Sequence, residues 1–420
     1  MTMHPRGPSR PRSLAGLPVW ALVFTLLLPA RTQAATDDTV ASDPVFDALT
    51  TDGKTVAGRI RQFGPQGELT LVTAAGPERV IPLESLVKLS RDGLGPPLTP
   101  EAMVVLFPGG DRLHRTAIAG ATETALDVQP YSLGKLSVPL ESLLGLIFTL
   151  PPDADAVDAL VQRVRDEPRN TEVLWLANND RLDVGFLGLS EKMIEYKSGQ
   201  KAEKIDRSRV VALGFDPTLV VYPRPAGGFV ELTLADGSRL GVVGPRVEQG
   251  HILATTRFGA KIRVAIAEVL RVHARNQSVV YLAERTPERT RYVPYVGPGR
   301  PFRRDATVEG HPFKVGGQEY DRGIGTTSRT LLAYRLEKGD RRFQASVALD
   351  DRAGPLGSVK FRVLVDSREA FASPPMAAGD PARFVDVDLA GGGVLILITE
   401  YADRGDVRDI ADWLEARFIR

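Results

Sequence analysis

The side chains best suited to chemistry are aspartates in the last third of the chain. Asp350 and Asp351 end one apolar stretch, and Asp366 ends the next. Four more crowd a short segment near the C-terminus: Asp403, Asp406, Asp409 and Asp412. Because clustered carboxylates are the hard oxygen ligands that Ca²⁺ prefers, this pattern indicates a candidate structural Ca²⁺. The alternative is a solvated acidic loop balanced by neighbouring arginines. We assign no metal ligand and predict no other cofactor.

The same region carries side chains that can bind a polar ligand. Guanidinium groups donate hydrogen bonds in a fork, carboxylates accept them, and an exposed aromatic ring can stack on the flat face of a ligand. Arg329, Arg352, Tyr401 and Trp413 are side chains of these kinds. For Trp413, burial in a core is the competing interpretation.

The sequence lacks the common catalytic motifs. It contains no G-x-S-x-G, H-E-x-x-H, P-loop or dinucleotide-binding pattern. It has no cysteine, which excludes disulfides, thiolate metal sites and cysteine nucleophiles, and it has only 5 histidines. We therefore predict that the protein is not an enzyme. A glycoside hydrolase stays as an alternative, because two carboxylates facing each other across a cleft leave no sequence motif.

Short β-rich runs must position the candidate residues. In residues 343–349 and 359–365, apolar side chains alternate with more polar ones, the period of strands that bury one face. Gly-Asp at 339–340 and Gly-Pro at 354–355 are turn signals that bound these runs. The pattern predicts an antiparallel sandwich whose loops cluster at its ends.

Residues 278–420 resemble the NPCBM family of carbohydrate-binding modules, of the glycosyl hydrolase family 98 type. Four motifs keep the family's order and spacing: GGQEYDRGIGTTSRT (316–330), F-x-A-x-V-x-x-D-D (343–351), GSVKFRVLVD (357–366) and D-x-A-D-W (409–413). The resemblance implies a galactose-binding-like β-sandwich. It also implies a module that holds a glycan without cleaving it. The candidate carbohydrate-binding residues of such a module are Thr327, Arg329, Asp351, Arg352, Tyr401, Asp409 and Trp413.

Two positions depart from the family's pattern. The family usually has His where this chain has Thr327 and again where it has Ile410. Imidazole can donate and accept hydrogen bonds to sugar hydroxyls, whereas Ile can do neither. A scaffold protein whose sandwich has lost sugar binding is therefore the alternative function. The resemblance also places Trp413 on the final strand, which favours a core position for it.

The region before this module repeats one pattern four times. The copies occupy residues 45–92, 102–150, 171–216 and 228–275. In each copy an apolar run meets a dipeptide such as Asp-Gly or Asn-Asp, which supplies the positive φ angles of a hairpin turn. The first two copies share the motifs I-P-L-E-S-L and V-P-L-E-S-L near their ends. Repeats of this size predict four small SH3-like or Sm-like β-barrels, separated by proline-rich joints.

One amphipathic helix is predicted between the second and third repeats, at residues 153–167. Val157, Leu160, Val161 and Val164 form one apolar stripe, and a proline follows the helix. We predict no nucleic-acid partner, because no strand interleaves aromatic and basic residues and the net charge is only +1.

Residues 1–34 have the organisation of a secretory signal peptide. Arginines precede a short apolar run, and a T-x-A cleavage pattern ends at Ala34. A retained N-terminal membrane anchor is the alternative. With cleavage, no stable membrane span is left, and the absence of cysteine suits a bacterial periplasm or surface.

Together these patterns predict an all-β chain: four barrel repeats, one inserted amphipathic helix and a C-terminal sandwich. We predict a secreted, periplasmic or surface protein without catalytic activity. Its predicted ligand is polysaccharide or glycan at the cell envelope, with envelope proteins as a second class of partner.

Overall fold

The computed structural model of the protein describes residues 43–64, 67–91, 103–295 and 299–420. The predicted signal peptide, residues 1–34, lies outside the described residues, as does the proline-rich joint after the first repeat. Within the described part of the chain, no helix combines the length and apolar character needed to cross a membrane.

Strands make up most of the described chain, which confirms the all-β prediction. The first segment contains β1 (Val45–Thr50), β2 (Thr55–Phe63), β3 (Leu69–Val72), β4 (Glu78–Ile81) and β5 (Leu86–Ser90). The second contains β6 (Val104–Leu106), β7 (Arg112–Leu113), β8 (Thr116–Ala121), β9 (Ala125–Pro130), β10 (Leu136–Pro139) and β11 (Gly145–Ile147). The third contains β12 (Glu172–Leu176), β13 (Arg181–Leu189), β14 (Met193–Ser198), β15 (Lys201–Asp206) and β16 (Val210–Gly214). The fourth contains β17 (Phe229–Leu234), β18 (Arg239–Glu248), β19 (His251–Thr256), β20 (Lys261–Ala265) and β21 (Val269–Arg275).

These four segments share one strand order. Successive strands form an antiparallel meander, and the last strand returns to pair with the first: β1 with β5, β6 with β11, β12 with β16, β17 with β21. The second segment differs only in that its second strand is interrupted, giving β7 and β8. A single 3₁₀ turn precedes each final strand, at Leu83–Ser85, Leu140–Ser142, Arg207–Arg209 and Ile266–Glu268.

Among the described residues, none of the sheets of these segments is closed, and the small-barrel form of the repeats stays a prediction. Among the described residues, no pairing joins the strand before the 3₁₀ turn to the strand after it. The turn interrupts the ladder, and in the first two segments it follows Pro82 or Pro139, which have no N–H to donate. The division into four repeat domains stays a prediction.

The segments associate in pairs through their final strands. β5 pairs antiparallel with β21, and β11 pairs antiparallel with β16. The first segment thus shares a sheet with the fourth, and the second with the third. One continuous cluster of buried apolar side chains runs through all four segments.

The predicted amphipathic helix is present as α1 (Ala154–Asp166). Asp153 caps it by accepting a hydrogen bond from the Ala156 N–H at 2.9 Å. Its apolar stripe, with Leu160 and Val164 buried, packs on β11 and β16. A Cβ at Gly145 in β11 would lie 2.4 Å from Val164, so only glycine allows this close approach.

The C-terminal domain is a two-sheet sandwich. Its strands are β22 (Val279–Tyr281), β23 (Arg289–Tyr292), β24 (Arg303–Arg304), β25 (Phe313–Val315), β26 (Gln318–Tyr320), β27 (Gly323–Thr326), β28 (Thr330–Arg335), β29 (Arg342–Leu349), β30 (Ser358–Val365), β31 (Arg368–Ala372), β32 (Met376–Ala377), β33 (Arg383–Asp388), β34 (Val394–Tyr401) and β35 (Ala411–Ile419). One sheet has the order β24-β27-β35-β29-β33, with β22 also on β35. The other has the order β23-β28-β34-β30-β31, with β32 on β30. A separate hairpin joins β25 to β26.

The sandwich packs directly on the first and fourth segments. Val87 of β5 shares a buried cluster with Val279, Tyr281 and Ile419 of the sandwich. The Asn276 side chain, in the short connection before β22, donates to the Leu83 carbonyl at 2.6 Å. No long linker separates the two parts of the chain.

Charged side chains surround this apolar contact and are themselves largely buried. This ionic interface comprises Lys88, Glu231, Arg239, Arg271, Arg275, Asp321, Arg322 and Glu415. Across it, the Arg322 guanidinium lies 2.6 Å from the Glu231 carboxylate, and the Lys88 ammonium lies 2.7 Å from that of Glu415. Because paired charges in a dry contact hold one geometry, the sandwich is fixed in orientation on the repeats.

Candidate functional site

One end of the sandwich gathers several of the predicted binding residues. Thr327 and Arg329 follow β27, Tyr401 ends β34, and Asp409 precedes β35. Thr326 anchors this end, because its hydroxyl lies 2.8 Å from that of Thr399 and 3.0 Å from the Ala411 carbonyl. We call this end the loop face.

Asp409 organises the loops of the loop face. Its carboxylate accepts hydrogen bonds from the Ser328 hydroxyl and, at 2.9 Å, from the Ser358 N–H. Burial raises the pKa of Asp409 to about 6, although both hydrogen bonds oppose the shift. The side chain is almost fully buried, so Asp409 positions loops rather than contacting a ligand.

Two tyrosines, one of them exposed and one partly buried, meet at the loop face. Tyr401 donates its hydroxyl hydrogen to the Val293 carbonyl, and its ring meets that of Tyr295 edge to face at 5.8 Å. The Tyr295 N–H donates to Asp406 at 2.9 Å, and Gly405 lies against the ring. Tyr295 is nonetheless 71% exposed. We call Tyr295 and Tyr401 the tyrosine platform.

Charged groups border the platform. The Arg329 side chain is 49% exposed, and its guanidinium lies 3.8 Å from the Glu400 carboxylate. Glu400 also accepts from Arg362 at 3.0 Å. An aromatic surface edged by a donor fork and carboxylates is chemically suited to a polyhydroxylated ligand.

Sequence analysis missed Tyr295. Its neighbourhood in the sequence, YVPYVGPG at 292–299, is rich in tyrosine and proline, and Tyr295 itself lies outside the strands. Loops carry binding residues disproportionately, so an aromatic residue in such a loop was the available signal.

Comparison with known proteins identifies this domain. Residues 278–419 match the NPCBM/NEW2 domain model. The C-terminal sandwich is an NPCBM domain.

Two curated relatives match part of the chain. A Renibacterium salmoninarum protein described as an endo-alpha-N-acetylgalactosaminidase is 28% identical over 114 residues, which are 27% of this chain and 8% of that protein. Alpha-1,3-galactosidase B of Akkermansia muciniphila is 28% identical over 117 residues, which are 27% of this chain and 15% of that protein. The chain thus spans only a small part of either relative.

A solved structure is similar over the same region. It is CBM51 from Clostridium perfringens GH95 in complex with methyl-galactose, 27% identical in sequence, with a TM-score of 0.31. The match covers 33% of this chain and 99% of the CBM51 chain.

Asp351 and Arg352, two of the predicted binding residues of the NPCBM domain, have structural partners away from the tyrosine platform. Asp351 accepts hydrogen bonds from the N–H groups of Gly316 and Gly317 at 2.8 and 2.9 Å, which closes the β25–β26 turn. The Arg352 guanidinium lies 3.3 Å from Asp155 on helix α1. The structure does not bring these two side chains to the tyrosine platform. Asp351 is hydrogen-bonded within the β25–β26 turn, and Arg352 is paired with α1.

Trp413 is a core residue of the NPCBM domain, so its assignment as a sugar-stacking ring is wrong. Its side chain is 0% exposed, and its indole N–H donates to the Thr399 hydroxyl at 3.1 Å. The ring meets Phe361 edge to face at 5.2 Å and lies 6.3 Å from the Phe343 ring. The alternative interpretation of Trp413, a core position, is the one observed.

The aspartates of the NPCBM domain do not gather into one calcium site. The carboxylates of Asp351, Asp366, Asp406 and Asp409 accept from backbone N–H groups of different loops. In the described ranges, one group of three metal-ligating side chains lies close together, namely Asp155, Asp158 and His311. The Arg352 guanidinium already lies within 4 Å of both of these carboxylates, so the group is an ion-pair cluster between α1 and the NPCBM domain.

Asp412 is a buried acid in a different environment. Burial raises its pKa well above the usual range, and the neighbouring Asp350 carboxylate raises it further. Asp350 in turn accepts from the N–H groups of Lys314 and Arg352 at 2.7 and 2.9 Å. Both effects favour the protonated form of Asp412 in the folded protein.

We expect Asp412→Asn to stabilise the protein at alkaline pH. A raised pKa gives stability that is present below the unfolded value, 3.8, and is lost as pH rises through the folded value. Asparagine has nearly the same shape as aspartate and cannot ionise. The melting temperature of the Asp412→Asn variant should therefore exceed that of the parent by a few degrees at pH about 8, and by less at pH about 5. Thermal melts at both values measure this difference.

Asp403→Asn, which changes an exposed carboxylate of the same domain, is the matched control and should behave as the parent. A lower melting temperature for Asp412→Asn at both pH values would mean that this carboxylate is needed in its ionised form.

Proposed function

We propose that the protein is a carbohydrate-binding protein that acts outside the cytoplasm and holds a glycan without cleaving it. The observation that carries this proposal is the tyrosine platform at the loop face of an NPCBM domain, with Tyr295 71% exposed. A large aromatic ring left in solvent beside a donor fork is suited to an apolar sugar face edged by hydroxyls.

The names of the two relatives suggest a sugar class to test. One is named for cleavage of N-acetylgalactosamine linkages and the other for cleavage of alpha-1,3-galactose linkages. Each similarity covers 27% of this chain and at most 15% of the relative. Galactose-type polysaccharide is therefore our choice of neutral ligand.

A non-catalytic role is supported by how the carboxylates near the platform are used. Asp409 is buried and holds two loops, and Glu400 is engaged by Arg362 and Arg329. Asp406 accepts from the Tyr295 N–H. Hydrolysis of a glycoside needs one carboxyl free to protonate and a second free to attack or to activate water.

A location outside the cytoplasm is supported by the predicted signal peptide at residues 1–34. The four segments would then serve as a rigid base, because the ionic interface fixes the domain on them.

Two observations favour a scaffold as the second candidate function, with envelope proteins as partners. Thr327 and Ile410 replace the family's two histidines, and Ile410 is buried in the core, where it offers no hydrogen bond. The extensive contact between the domain and the repeats would also suit a rigid spacer.

Tyr295→Ala tests the proposed function. We expect the affinity of the full chain for a galactose-type polysaccharide to fall about tenfold, since aromatic contact contributes about 1 kcal/mol beyond area burial. Affinity electrophoresis and isothermal titration calorimetry measure the loss.

Tyr131→Ala is the matched control, because Tyr131 is equally exposed, at 73%, but lies in the second segment. Unchanged melting temperatures would show that both variants fold. Parent protein that is retarded by no polysaccharide would leave the scaffold as the function.

A further inference from the structure

A second surface of the NPCBM domain is strongly basic. Residues 289–304 contain five arginines and no acidic residue. All five arginines are exposed: Arg289, Arg291, Arg300, Arg303 and Arg304. β23 and β24, which carry four of them, are edge strands of the two different sheets. These two edge strands therefore place four exposed arginines along one side of the sandwich.

A pocket of about 410 Å³ lies on this side. It is lined by Arg300, Pro301, Arg303, Val308, Glu309 and His311. Its volume falls within the range of small-molecule sites, and a sugar residue is a ligand of that size class. Its lining is mainly polar, with three cationic or basic side chains and one carboxylate.

The side chains of the pocket differ in how far they are engaged. Arg300 donates to Glu309 at 2.7 Å, so this pair is neutral as a unit. The Arg303 Nε–H donates to the Val308 carbonyl at 3.3 Å, and within the described residues its two terminal nitrogens have no partner. His311 turns Nδ1 to Asp158 at 3.3 Å, which leaves Nε2 without a partner in the same residues.

The unpaired terminal N–H groups of the Arg303 guanidinium indicate which chemical group of a ligand would bind here. Its Nε–H is tied to the backbone, so the planar fork is held in place while its terminal N–H groups remain unpaired. Such a fork matches the two oxygens of a carboxylate, phosphate or sulfate. The surrounding arginines would raise the local concentration of an anionic ligand through their summed field.

We propose that this pocket receives the oxyanion group of an acidic saccharide, and that Arg303 binds that group. Glu309, held by Arg300, is placed to accept from a sugar hydroxyl. This inference rests on the proposed function in treating the ligand as a saccharide, but the residues that line the pocket are not those of the tyrosine platform.

The experiment compares charged polymers with neutral counterparts of the same backbone. The full chain is titrated with polygalacturonate and its methyl ester, with dextran sulfate and dextran, and with phosphomannan and mannan. We expect at least one charged polymer to bind about tenfold more tightly than its neutral counterpart, a difference of about 1.4 kcal/mol. The pair that shows the difference identifies the oxyanion.

Arg303→Gln is expected to reduce binding of that charged polymer to the level of its neutral counterpart, and Arg303→Lys to restore part of it. Arg335→Gln is the control, because Arg335 is also exposed but is paired with Glu288 at 3.0 Å. Arg335→Gln removes the same charge from another part of the domain, so it should leave the affinity for the charged polymer unchanged.

Equal affinity for charged and neutral polymers, or equal losses in Arg303→Gln and Arg335→Gln, would overturn the inference. If neutral polysaccharide still bound in a Tyr295-dependent manner, the proposed function would stand and only this inference would fail. If no polymer bound the parent, both would fail.

Discussion

Glu231→Ala is expected to lower the free energy of unfolding by about 3–5 kcal/mol, because it leaves buried arginines without their counter-charge. The carboxylate, only 2% exposed, lies 2.6 Å from the Arg322 guanidinium. The guanidinium groups of Arg275 and Arg239 both lie 3.4 Å from it. The Glu231 carboxylate thus neutralises arginines from three elements, namely β18, β21 and the NPCBM domain.

The effect of Glu231 should depend on pH. Burial alone would raise the pKa of this carboxyl, but Arg322, Arg239 and Arg275 outweigh burial and hold the pKa below its usual range. A depressed pKa gives stability that is present above the unfolded value, 4.5, and is lost as pH falls below it. The difference in the free energy of unfolding between the parent and Glu231→Ala should therefore become smaller at acidic pH.

Urea unfolding followed by circular dichroism measures this prediction. Glu248→Ala is the control, because Glu248 lies on β18 of the same segment and pairs with Arg246 in solvent. Exposed pairs contribute about 0–1 kcal/mol, so this variant should unfold close to the parent. Similar midpoints for Glu231→Ala and Glu248→Ala would show that the ionic interface contributes little to stability.

Trp413→Ala is expected to lower the free energy of unfolding by about 3–5 kcal/mol, the range for removing a large aromatic side chain from a packed core. The ring lies between the two sheets against Phe361 and Phe343, and its indole N–H is satisfied by Thr399. The substitution would leave a cavity and would remove one of the two hydrogen-bond partners of the buried Thr399 hydroxyl.

Phe384→Ala provides the matched comparison. Phe384 lies on β33 of the same sandwich but is 46% exposed, so its removal should change stability by less than about 1 kcal/mol. Circular dichroism is the appropriate signal, since Trp413 itself contributes fluorescence. A Trp413→Ala variant as stable as Phe384→Ala would contradict the core role.

Local features of the fold were predictable from particular residues. Gly53 and Gly237 have φ of 79° and 88°, and Asn179 has φ of 68°, at the hairpin turns that their dipeptides indicated. The helix that the apolar stripe of Val157 to Val164 predicted is present with its Asp153 cap. These features depend on neighbours in sequence, and local propensity reports them directly.

The candidate site was only partly predictable. Arg329, Tyr401 and Asp409 do meet at the loop face, because the order of strands places their loops at one end. Arg352 was predicted there too, but its guanidinium pairs with carboxylates on α1, a helix from a distant part of the chain. Trp413 ends in the core because β35 is the central strand to which β22, β27 and β29 pair.

The sequence by itself determined the all-β class, the positions of the hairpin turns, the amphipathic helix and the resemblance of residues 278–420 to NPCBM modules. These depend on the period of apolar residues, on turn chemistry and on motifs, all of which are local. Only the tertiary structure decided which charged side chains face solvent and which pair across the ionic interface. The reason is that burial of a charge depends on a partner that can lie hundreds of positions away, as Glu415 does from Lys88.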